Sequence, residues 1–334
     1  MKRAFVTGGS GFVGQALLRR LQREGWRVQA LARSASSAKT VTEAGAQPVE
    51  GDLDDLTKLT EGASGCELAF HVAAHVKEWG RREEFERVNV GGTRRVLEAC
   101  RRAGVRRMIH VGTEAALMAG HPLVNVDEDA PLRPDSRCHY CATKAMAERA
   151  VLEANGEDLE TVAVRPRFVW GLGDTTILPA LVSSIRSRKF RWVGDGRHRT
   201  STTHVENVVE GLILAALHGR CGRAYFVTDG EPVVFRDFVE QLVRTQGVEA
   251  PDKTIPLVLA RAIATAGEGL WSRLPLKGDP PLTRTALWLS SLEVTINIAR
   301  AQAELGYEPV KTVSEGLAEL EGSTSGGAGP IRPP

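Results

Sequence analysis

Short apolar runs alternate with amphipathic segments through the first half of the chain. The runs predict strands at residues 4–7, 26–31, 67–73, 107–112 and 161–166. Between several of these runs, apolar residues recur every three or four positions and predict helices at 12–25, 85–104 and 140–155. Because the strands are almost entirely apolar and helices separate them, the pattern indicates a parallel sheet covered by helices on both faces.

The alternation loosens after residue 170, where turn-rich segments separate less regular helices. We expect residues 1–170 to form a first domain. Residues 171–320 should form mainly a second region over the sheet, with some segments returning to the sheet. Residues 321–334 are rich in Gly, Ser and Pro, a composition that predicts a disordered tail.

The segment 255–276 is apolar on much of its surface, although Arg261, Glu268 and Arg273 interrupt it. We expect it to form a lid helix packed on the second region. A membrane-surface helix is the less favoured interpretation, because few basic residues would lie on its polar face.

Composition and charge narrow the class of protein. The chain of 334 residues is 42% hydrophobic and 25% charged, with a formal net charge of +2. Its arginines are scattered, so nucleic-acid binding is not expected. No apolar run reaches the roughly 18 residues of a membrane-spanning helix, and Gly8 comes too early for a signal-peptide hydrophobic region. Five cysteines without framework spacing favour a reduced, cytoplasmic protein.

The motif "VTGGSGFVG" joins the first predicted strand to the first predicted helix. Its Gly8, Gly11 and Gly14 allow a sharp turn, a close approach to a pyrophosphate and tight helix packing, and the helix N-terminus attracts the phosphates. Phe12 and Val13 belong to the same turn. In this context the glycines predict a dinucleotide site. The expected fold is therefore a Rossmann-type doubly wound parallel sheet with a smaller mixed C-terminal substrate region.

The end of the second predicted strand bears on which dinucleotide binds. An acidic residue there would hold a ribose 2′-hydroxyl, but this chain has Ala32 followed by Arg33. Arg33 offers a charge-assisted partner to a 2′-phosphate, which favours NADP(H) over NAD(H), unless Arg33 is only a solvated surface residue. In "GDL", Asp52 and Leu53 are placed to contact the adenine, although Asp52 could instead cap the next helix.

Tyr140 and Lys144 are four residues apart on a predicted helix and share one face. A nearby ammonium should lower the pKa of a tyrosine, which could then exchange a proton with a substrate oxygen while a hydride is transferred. Thr113 follows the predicted strand 107–112 and could hydrogen-bond the same oxygen. The three residues predict oxidoreductase chemistry.

The motifs "TGGSGFVG", "FHVAA", "NVGGT", "VGTEA", "YCATK" and "VRPRFVWGLGD" occur in this order along the chain. Together they resemble the extended short-chain dehydrogenase/reductases of the NAD-dependent epimerase/dehydratase superfamily. The resemblance implies that Thr113, Tyr140 and Lys144 are the catalytic set, with Lys144 also bonding the nicotinamide ribose, and that Asn89 supports the site. The cofactor lining that it implies includes Val72, Ala73, Ala74, Asn89, Pro166 and Val169.

Later segments, among them "VRPRFVWG" and "THVENVVEGLILAALHG", resemble the 3β-hydroxysteroid dehydrogenase branch. That branch includes bacterial reductases of 2-alkyl-3-oxo fatty acids. The resemblance implies an NAD(P)-dependent dehydrogenase/reductase that interconverts a ketone and a secondary alcohol on a bulky apolar substrate.

Two other functions stay open. A nucleotide-sugar dehydratase would resemble Thr-Asp-Glu where this chain has Thr113-Glu114-Ala115. An epimerase would resemble Arg-Asp-Phe where it has Thr200-Ser201-Thr202, with Arg197 or Arg199 as a substitute for the arginine. A non-catalytic cofactor-binding regulator is the second alternative, because a dinucleotide fold alone does not establish catalysis.

Cys138 and Cys141, with His139 between them, could form half of a zinc site. The chain offers no second Cys-x-x-Cys or paired histidines, so no metal is expected and the cysteines are interpreted as incidental neighbours of Tyr140.

The substrate pocket is the part of the site that the sequence describes least. Trp79 and Arg167 are candidates for its wall. Glu114 could face it as an acid, although a surface carboxylate at a strand end is the favoured interpretation. The expected partner is a small apolar substrate and not a nucleic acid. A homodimer and a weak membrane-surface contact through 255–276 stay open.

Overall fold

The computed structural model describes residues 2–274 and 276–325. Its strands are β1 Arg3–Thr7, β2 Arg27–Ala32, β3 Gln47–Glu50, β4 Leu68–His71, β5 Arg107–Val111, β6 Leu123–Val126, β7 Glu160–Pro166, β8 Val169–Trp170, β9 Trp192–Val193, β10 Arg199–Thr200, β11 Thr203–His204, β12 Arg223–Val227, β13 Val233–Val234, β14 Thr254–Ile255 and β15 Val294–Ile296.

The α-helices occupy both the regular first half and the less regular second half of the chain. They are α1 Phe12–Arg23, α2 Ala35–Glu43, α3 Leu56–Ala63, α4 Arg82–Phe85, α5 Gly92–Ala103, α6 His139–Glu153, α7 Ile177–Arg186, α8 Val205–His218, α9 Phe235–Arg244, α10 Leu257–Arg273, α11 Arg284–Ser291, α12 Ala299–Leu305 and α13 Val313–Ser325. A π-helix, Glu86–Gly91, precedes α5, and a 3₁₀-helix, Glu114–Leu117, follows β5.

Seven parallel strands form the main sheet in the order β12-β7-β5-β4-β1-β2-β3. One face carries an apolar core shared with α1, α8 and α12, and the other carries a core shared with α3, α5 and α6. The strand order reverses at β1, because β2 and β3 lie on one side of it and β4 and the later strands lie on the other. In folds of this type, ligands bind in the crevice at the carboxyl ends of the strands where the order reverses. The predicted doubly wound parallel sheet is confirmed.

The second region is built on short strands and a separate core. A mixed sheet has the order β13-β10-β15-β6, and two strand pairs, β11-β8 and β14-β9, stand apart from it. A third apolar cluster around Trp170 and Trp192 joins α7, α9 and α13. β12 returns from this half of the sequence to the edge of the main sheet.

Two details differ from the sequence-based expectations. Helix α13 continues to Ser325, so the first residues of the predicted disordered tail are helical, and residues 326–334 lie outside the described residues. The predicted helix 85–104 is interrupted by the π-helix, which inserts an extra residue into the turn that carries Asn89. Among the described residues, no helix combines the length and the apolar character needed to cross a bilayer.

Candidate active site

The glycine turn after β1 is closed too tightly for side chains. The Gly11 N–H donates to the Gly8 carbonyl over 3.1 Å, and a Cβ atom at Gly14 would lie 2.1 Å from that same oxygen. Gly8 has φ +75°, and a Cβ there would lie 2.5 Å from the Ala73 amide nitrogen. Gly11 caps α1 without a side chain, so the first N–H groups of the helix, at Phe12 and Val13, stay available. This cradle fits the pyrophosphate of a dinucleotide.

The candidate adenosine side lies at the ends of β2 and β3. Ala32 ends β2, and the exposed Arg33 follows it with no ion pair to another described residue. Asp52 accepts the Asp54 N–H over 2.8 Å, while Asp55 caps α3. The alternative that Asp52 caps the helix was therefore wrong. Leu53 packs under Gly92, where a Cβ would lie 2.9 Å from its side chain.

A buried hydrogen-bond chain fixes the floor between β1, β4 and α5. Thr7 Oγ1 lies 2.7 Å from His71 Nδ1, and His71 Nε2 lies 2.9 Å from Thr93 Oγ1. Thr93 uses its own proton to bond the Asn89 carbonyl, so His71 Nε2 must carry a hydrogen. Burial lowers the pKa of His71 to about 3, with Lys144 adding to the shift, so this imidazole stays neutral. The segment Val72–Ala74 leaves β4 directly above this floor.

Asn89 ties the loop after β4 to the helix that carries Tyr140. Its Oδ1 accepts the His75 N–H over 2.7 Å, and its Nδ2 donates to the His75 carbonyl over 3.2 Å and to Thr143 Oγ1 over 3.1 Å. The residue is 2% exposed. Its partner Thr143 directly precedes Lys144 on α6, and the supporting role of Asn89 stays a prediction.

Thr113, at the end of β5, gives its proton to its neighbour Glu114. The Thr113 hydroxyl donates to Glu114 Oε2 over 2.7 Å and accepts the Ala115 N–H over 3.2 Å. The same carboxylate forms an ion pair with Arg167, whose guanidinium also donates twice to Thr200 Oγ1, over 3.1 and 2.9 Å. Glu114 is 2% exposed and Arg167 1%. The favoured interpretation of Glu114 as a surface carboxylate was therefore wrong, because a counterion from beyond β7 allows it to be buried.

Tyr140 and Lys144 lie on the first turns of α6, where Lys144 is buried and Tyr140 is partly buried. Burial raises the pKa of Tyr140 above its ordinary value. The nearby Glu114 carboxylate raises it further, and a hydrogen bond with Thr113 opposes the shift. The sequence-based expectation of a lowered pKa was therefore wrong, since desolvation of the phenol dominates and raises it.

Lys144 Nζ donates to the Val111 carbonyl at the end of β5 over 2.7 Å, which fixes the ammonium beside the end of that strand. Burial lowers the pKa of Lys144 to about 8, partly offset by Glu148 one helical turn further on. Glu148 is itself buried and bonded to Arg165 Nε over 2.8 Å. The sequence reasoning missed this second buried ion pair. The only signal in the sequence was that Glu148 lies four residues after Lys144 on a predicted helix, which places both side chains on one face. Nothing in that spacing indicated Arg165 as the partner of Glu148.

The remaining cofactor candidates lie where β7 leaves the sheet. Pro166 ends β7, and Val169 begins β8 and pairs with Thr203. Phe168 between them has φ +42°, so the chain turns sharply here. The turn directs Arg167 inward to Glu114.

A cavity of about 310 Å³ opens beside the N-terminus of α6. Cys138 and His139, the two residues before Tyr140, line it together with Trp79 and Phe85. The opposite wall is the C-terminal half of α10. Of the three substrate candidates, Trp79 lines this cavity, and Glu114 and Arg167 do not. A larger groove of about 660 Å³ lies between α1, α8 and α13, away from the predicted catalytic side chains.

Cys138 and Cys141 are buried free thiols packed beside Tyr140. Cys138 Sγ accepts the Cys141 N–H over 3.2 Å as the cap of α6, and lies 3.1 Å from Thr285 Oγ1. A hydrogen bond from the Cys141 thiol lowers the pKa of Cys138. Within residues 2–274 and 276–325, no three His, Cys, Asp or Glu side chains come together as a metal-binding group.

Residues 5–259 match the family model of the 3-beta hydroxysteroid dehydrogenase/isomerase family. A ketoreductase of 4-hydroxy-2-methyl-3-oxo-4-farnesyl-3,4-dihydroquinoline-1-oxide from Stigmatella aurantiaca is 47% identical over 327 residues, which cover 98% of both chains. A 2-alkyl-3-oxoalkanoate reductase from Stenotrophomonas maltophilia is 37% identical over 96% of this chain and 98% of its own.

Solved structures give the same fold. A dTDP-glucose 4,6-dehydratase from Streptomyces venezuelae with bound NAD superposes with a TM-score of 0.75 at 21% identity, covering 96% of this chain and 95% of the other. At this identity the likeness establishes the fold and not the reaction.

The fold and the sequence together define an extended short-chain dehydrogenase/reductase, a class that uses a nicotinamide dinucleotide. The chain belongs to the 3-beta hydroxysteroid dehydrogenase/isomerase family. The predictions of this family and of an NAD(P)-dependent oxidoreductase that interconverts a ketone and a secondary alcohol on an apolar substrate are confirmed.

Proposed function

We propose that this protein reduces a ketone on a bulky apolar substrate, with NADPH as the preferred cofactor and Tyr140 as the proton donor. The observation that carries the proposal is the gathering of Thr113, Tyr140 and Lys144 at the end of β5, with Tyr140 held as the neutral phenol. A phenol that keeps its proton at neutral pH is suited to give it to an oxygen that becomes an alcohol.

The bound nicotinamide dinucleotide supplies the hydride for this reduction. Tyr140 gives its proton to the substrate oxygen and becomes a phenolate. Lys144, whose pKa burial lowers to about 8, stabilises that phenolate by its charge and is a ready source of the replacement proton. A hydrogen bond between Thr113 and Tyr140 lowers the pKa of the phenol and so favours the phenolate that proton transfer leaves.

The residues around Thr113 also bear on the nucleotide-sugar alternatives. A dehydratase would resemble Thr-Asp-Glu at this place, whereas here Glu114 follows the threonine and is engaged in a buried ion pair with Arg167. Thr200, which would correspond to the start of the epimerase Arg-Asp-Phe, is buried and bonded to Arg167. Both features favour a simple reductase.

We propose a substrate with a 3-oxo group beside an alkylated carbon. The names of the two curated relatives share this feature: one describes a 2-methyl-3-oxo-4-farnesyl compound and the other a 2-alkyl-3-oxo acid. The cavity that Trp79 and Phe85 line would hold the apolar part, and Arg137 at its wall would suit a polar or anionic end.

The preference for NADPH rests on Ala32 and Arg33. No carboxylate stands at the end of β2 to repel a 2′-phosphate, and Arg33 is exposed and lacks an ion pair with any described residue. We also propose a reducing, cytoplasmic location, in keeping with five unpaired cysteines.

The test is a turnover screen with 2-alkyl-3-oxo acids, sterols and UDP-sugars, using NADPH and NADH, on wild type and Tyr140→Phe. We expect ketone reduction by the wild type and loss of turnover in Tyr140→Phe with cofactor binding retained. The double variant Ala32→Asp/Arg33→Ser should shift the kcat/KM ratio toward NADH. Activity on UDP-sugars alone would contradict the substrate class, and undiminished turnover by Tyr140→Phe would contradict the mechanism.

A further inference from the structure

His110 carries a buried imidazole that has no hydrogen-bond partner among the described residues. The residue is 1% exposed, and neither Nδ1 nor Nε2 forms such a bond. Buried polar groups in proteins almost always have a partner, and leaving one without a partner costs free energy. A phenylalanine or a leucine would fill the same place on β5 without that cost. The two ring nitrogens therefore indicate a role that an apolar side chain does not perform.

The sheet places His110 at the end of a row of polar side chains beneath α5 and α6. Thr7, His71 and His110 are paired across β1, β4 and β5. Met108, two residues before His110, packs in the core that the sheet shares with α5 and α6, so His110 faces the same helices. The ring centroids of His71 and His110 lie 5.3 Å apart. The polar floor of the site therefore extends from β1 to β5.

Lys144 reaches this floor from α6, next to His110. Its Nζ donates to the carbonyl of Val111, the residue directly after His110, and this is the only hydrogen bond that it forms with a described residue. An ammonium group has three N–H donors, so two remain. His71 cannot accept either of them, because its two nitrogens are engaged by Thr7 and Thr93. Of the two imidazoles in the floor, His110 is the one with a free acceptor.

The imidazole of His110 stays neutral. Burial lowers its pKa well below 6.5, and the positive charge of Lys144 and the neighbouring His71 add to the shift. A neutral imidazole has one N–H donor and one accepting nitrogen, and its tautomers exchange these two roles. It therefore suits both an ammonium and an uncharged amine. Lys144 needs a partner for both forms, because burial brings its pKa to about 8.

We propose that His110 is a positioning residue for Lys144, joined to it by one internal water molecule that hydrogen-bonds the lysine nitrogen in both of its charge states. Internal waters commonly bridge buried polar groups that have no direct partner. The bridged water would hold the lysine side chain in place when its proton goes to Tyr140 and when that proton is restored. This role rests on the proposed function, in which Lys144 supplies the replacement proton.

The proposal predicts the direction in which Lys144 responds to the loss of His110. The other titratable and charged groups around Lys144 are Tyr140 and Glu148 on α6, His71 on β4, and Arg165 on β7, which is bonded to Glu148. A water that accepts a hydrogen bond from the ammonium favours the charged form of Lys144. Without the imidazole that holds this water, burial should bring the pKa of Lys144 below about 8.

The first experiment compares His110→Phe, which removes both ring nitrogens, with His110→Gln, which keeps an acceptor and a donor. We expect the kcat of ketone reduction to fall by about tenfold or more in His110→Phe, with the KM for NADPH unchanged. The loss of kcat at alkaline pH should begin at a lower pH than in the wild type, because Lys144 loses its proton earlier. His110→Gln should restore most of kcat and the pH profile. If the phenylalanine ring prevents folding, His110→Leu gives the same comparison with a smaller side chain.

The second experiment follows Lys144 without turnover. Urea unfolding from pH 7 to pH 10 gives the pH at which the free energy of unfolding starts to rise, which tracks the folded pKa of a lysine whose pKa is lowered. The rise should begin at a lower pH in His110→Phe than in the wild type and in His110→Gln. His198→Phe is the matched control. His198 stacks on Phe235 with ring centroids 4.9 Å apart, and its Nε2 has no hydrogen bond to a described residue. This variant should keep the wild-type kcat and the wild-type pH dependence of unfolding.

The outcomes separate this proposal from the proposed function. Wild-type kcat and wild-type pH dependence in His110→Phe would overturn the proposal, and so would a His110→Gln variant that is impaired as strongly as His110→Phe. A lower kcat in His110→Phe without the shift in unfolding would also overturn it, because Lys144 would then be unaffected. A wild type that reduces no ketone would contradict the proposed function, whereas the shifted unfolding of His110→Phe would still support the bridge to Lys144.

Discussion

Arg167 and Glu114 form an ion pair buried directly behind Thr113, with Nη1 and Oε1 2.5 Å apart. Arg167 follows β7 and Glu114 follows the neighbouring parallel strand β5, and the two residues are 1% and 2% exposed. The guanidinium gives Glu114 a charge-assisted partner in place of water, while the other carboxylate oxygen accepts the hydrogen bond from the Thr113 hydroxyl. The pair therefore holds in place the carboxylate to which the Thr113 hydroxyl donates, beside Tyr140.

Breaking this ion pair should be far more harmful than replacing it. Arg167→Met leaves Glu114 buried without a counterion and should lower the free energy of unfolding by about 3–5 kcal/mol. Arg167→Met/Glu114→Gln removes the charge as well and should recover much of that loss. Urea unfolding of Arg167→Met, Glu114→Gln and the double variant measures the coupling free energy between the two side chains. Additive losses would contradict the role of the pair.

Local spacing explains why the candidate site residues could be proposed from the sequence. The glycine turn depends on residues within one strand–helix junction, and Tyr140 and Lys144 lie four apart on one helix. The parallel sheet followed from the apolar strands for the same reason. In each case the physical constraint acts between neighbours along the chain.

The environment of the site could not be predicted in this way. Arg167 is 53 positions from Glu114, so nothing near Glu114 distinguished a buried carboxylate from a surface one. The pKa of Tyr140 depends on desolvation by residues from distant parts of the chain, which sequence periodicity does not report. The extra residue of the π-helix at Asn89 changes the helical phase too little to be seen in an apolar pattern.

Lys144 should make the stability of the fold depend on pH. Its folded pKa of about 8 lies below the 10.5 of a free lysine side chain, so the unfolded chain binds more protons between those values. The free energy of unfolding should therefore rise with pH across this window, by on the order of 3 kcal/mol for this group. Below pH 8 the cost of burying the ammonium is fully present.

The measurement compares wild type with Lys144→Met by urea unfolding at pH 7 and pH 10. The free energy of unfolding of the variant should lack the rise with pH that this group gives the wild type. The difference in free energy of unfolding in favour of Lys144→Met should therefore shrink as the pH rises. Lys39→Met, at an exposed position of α2, is the control and should show no such change. A constant difference between Lys144→Met and wild type would contradict a lowered pKa.

Cysteine accessibility should separate Cys221 from the thiols beside the proton donor. Cys221 is exposed, and Cys66, Cys100, Cys138 and Cys141 are buried. Ellman's reagent should label one thiol in the folded protein and all five in denaturant. Peroxide should leave turnover of wild type and of Cys141→Ala equally unaffected, because the oxidant has little access to the pair. Inactivation of the wild type that Cys141→Ala prevents would show that the pair is redox-active.

The contact between Gly14 and the Gly8 carbonyl predicts a cofactor-binding defect without global unfolding. A methyl group at Gly14 would lie 2.1 Å from that oxygen, so Gly14→Ala must displace the turn that cradles the pyrophosphate. We expect NADPH affinity, measured by fluorescence titration, to fall by about a hundredfold, with circular dichroism unchanged. Gly322→Ala, in open space on α13, should bind as the wild type does. Unchanged affinity in Gly14→Ala would place the cofactor elsewhere.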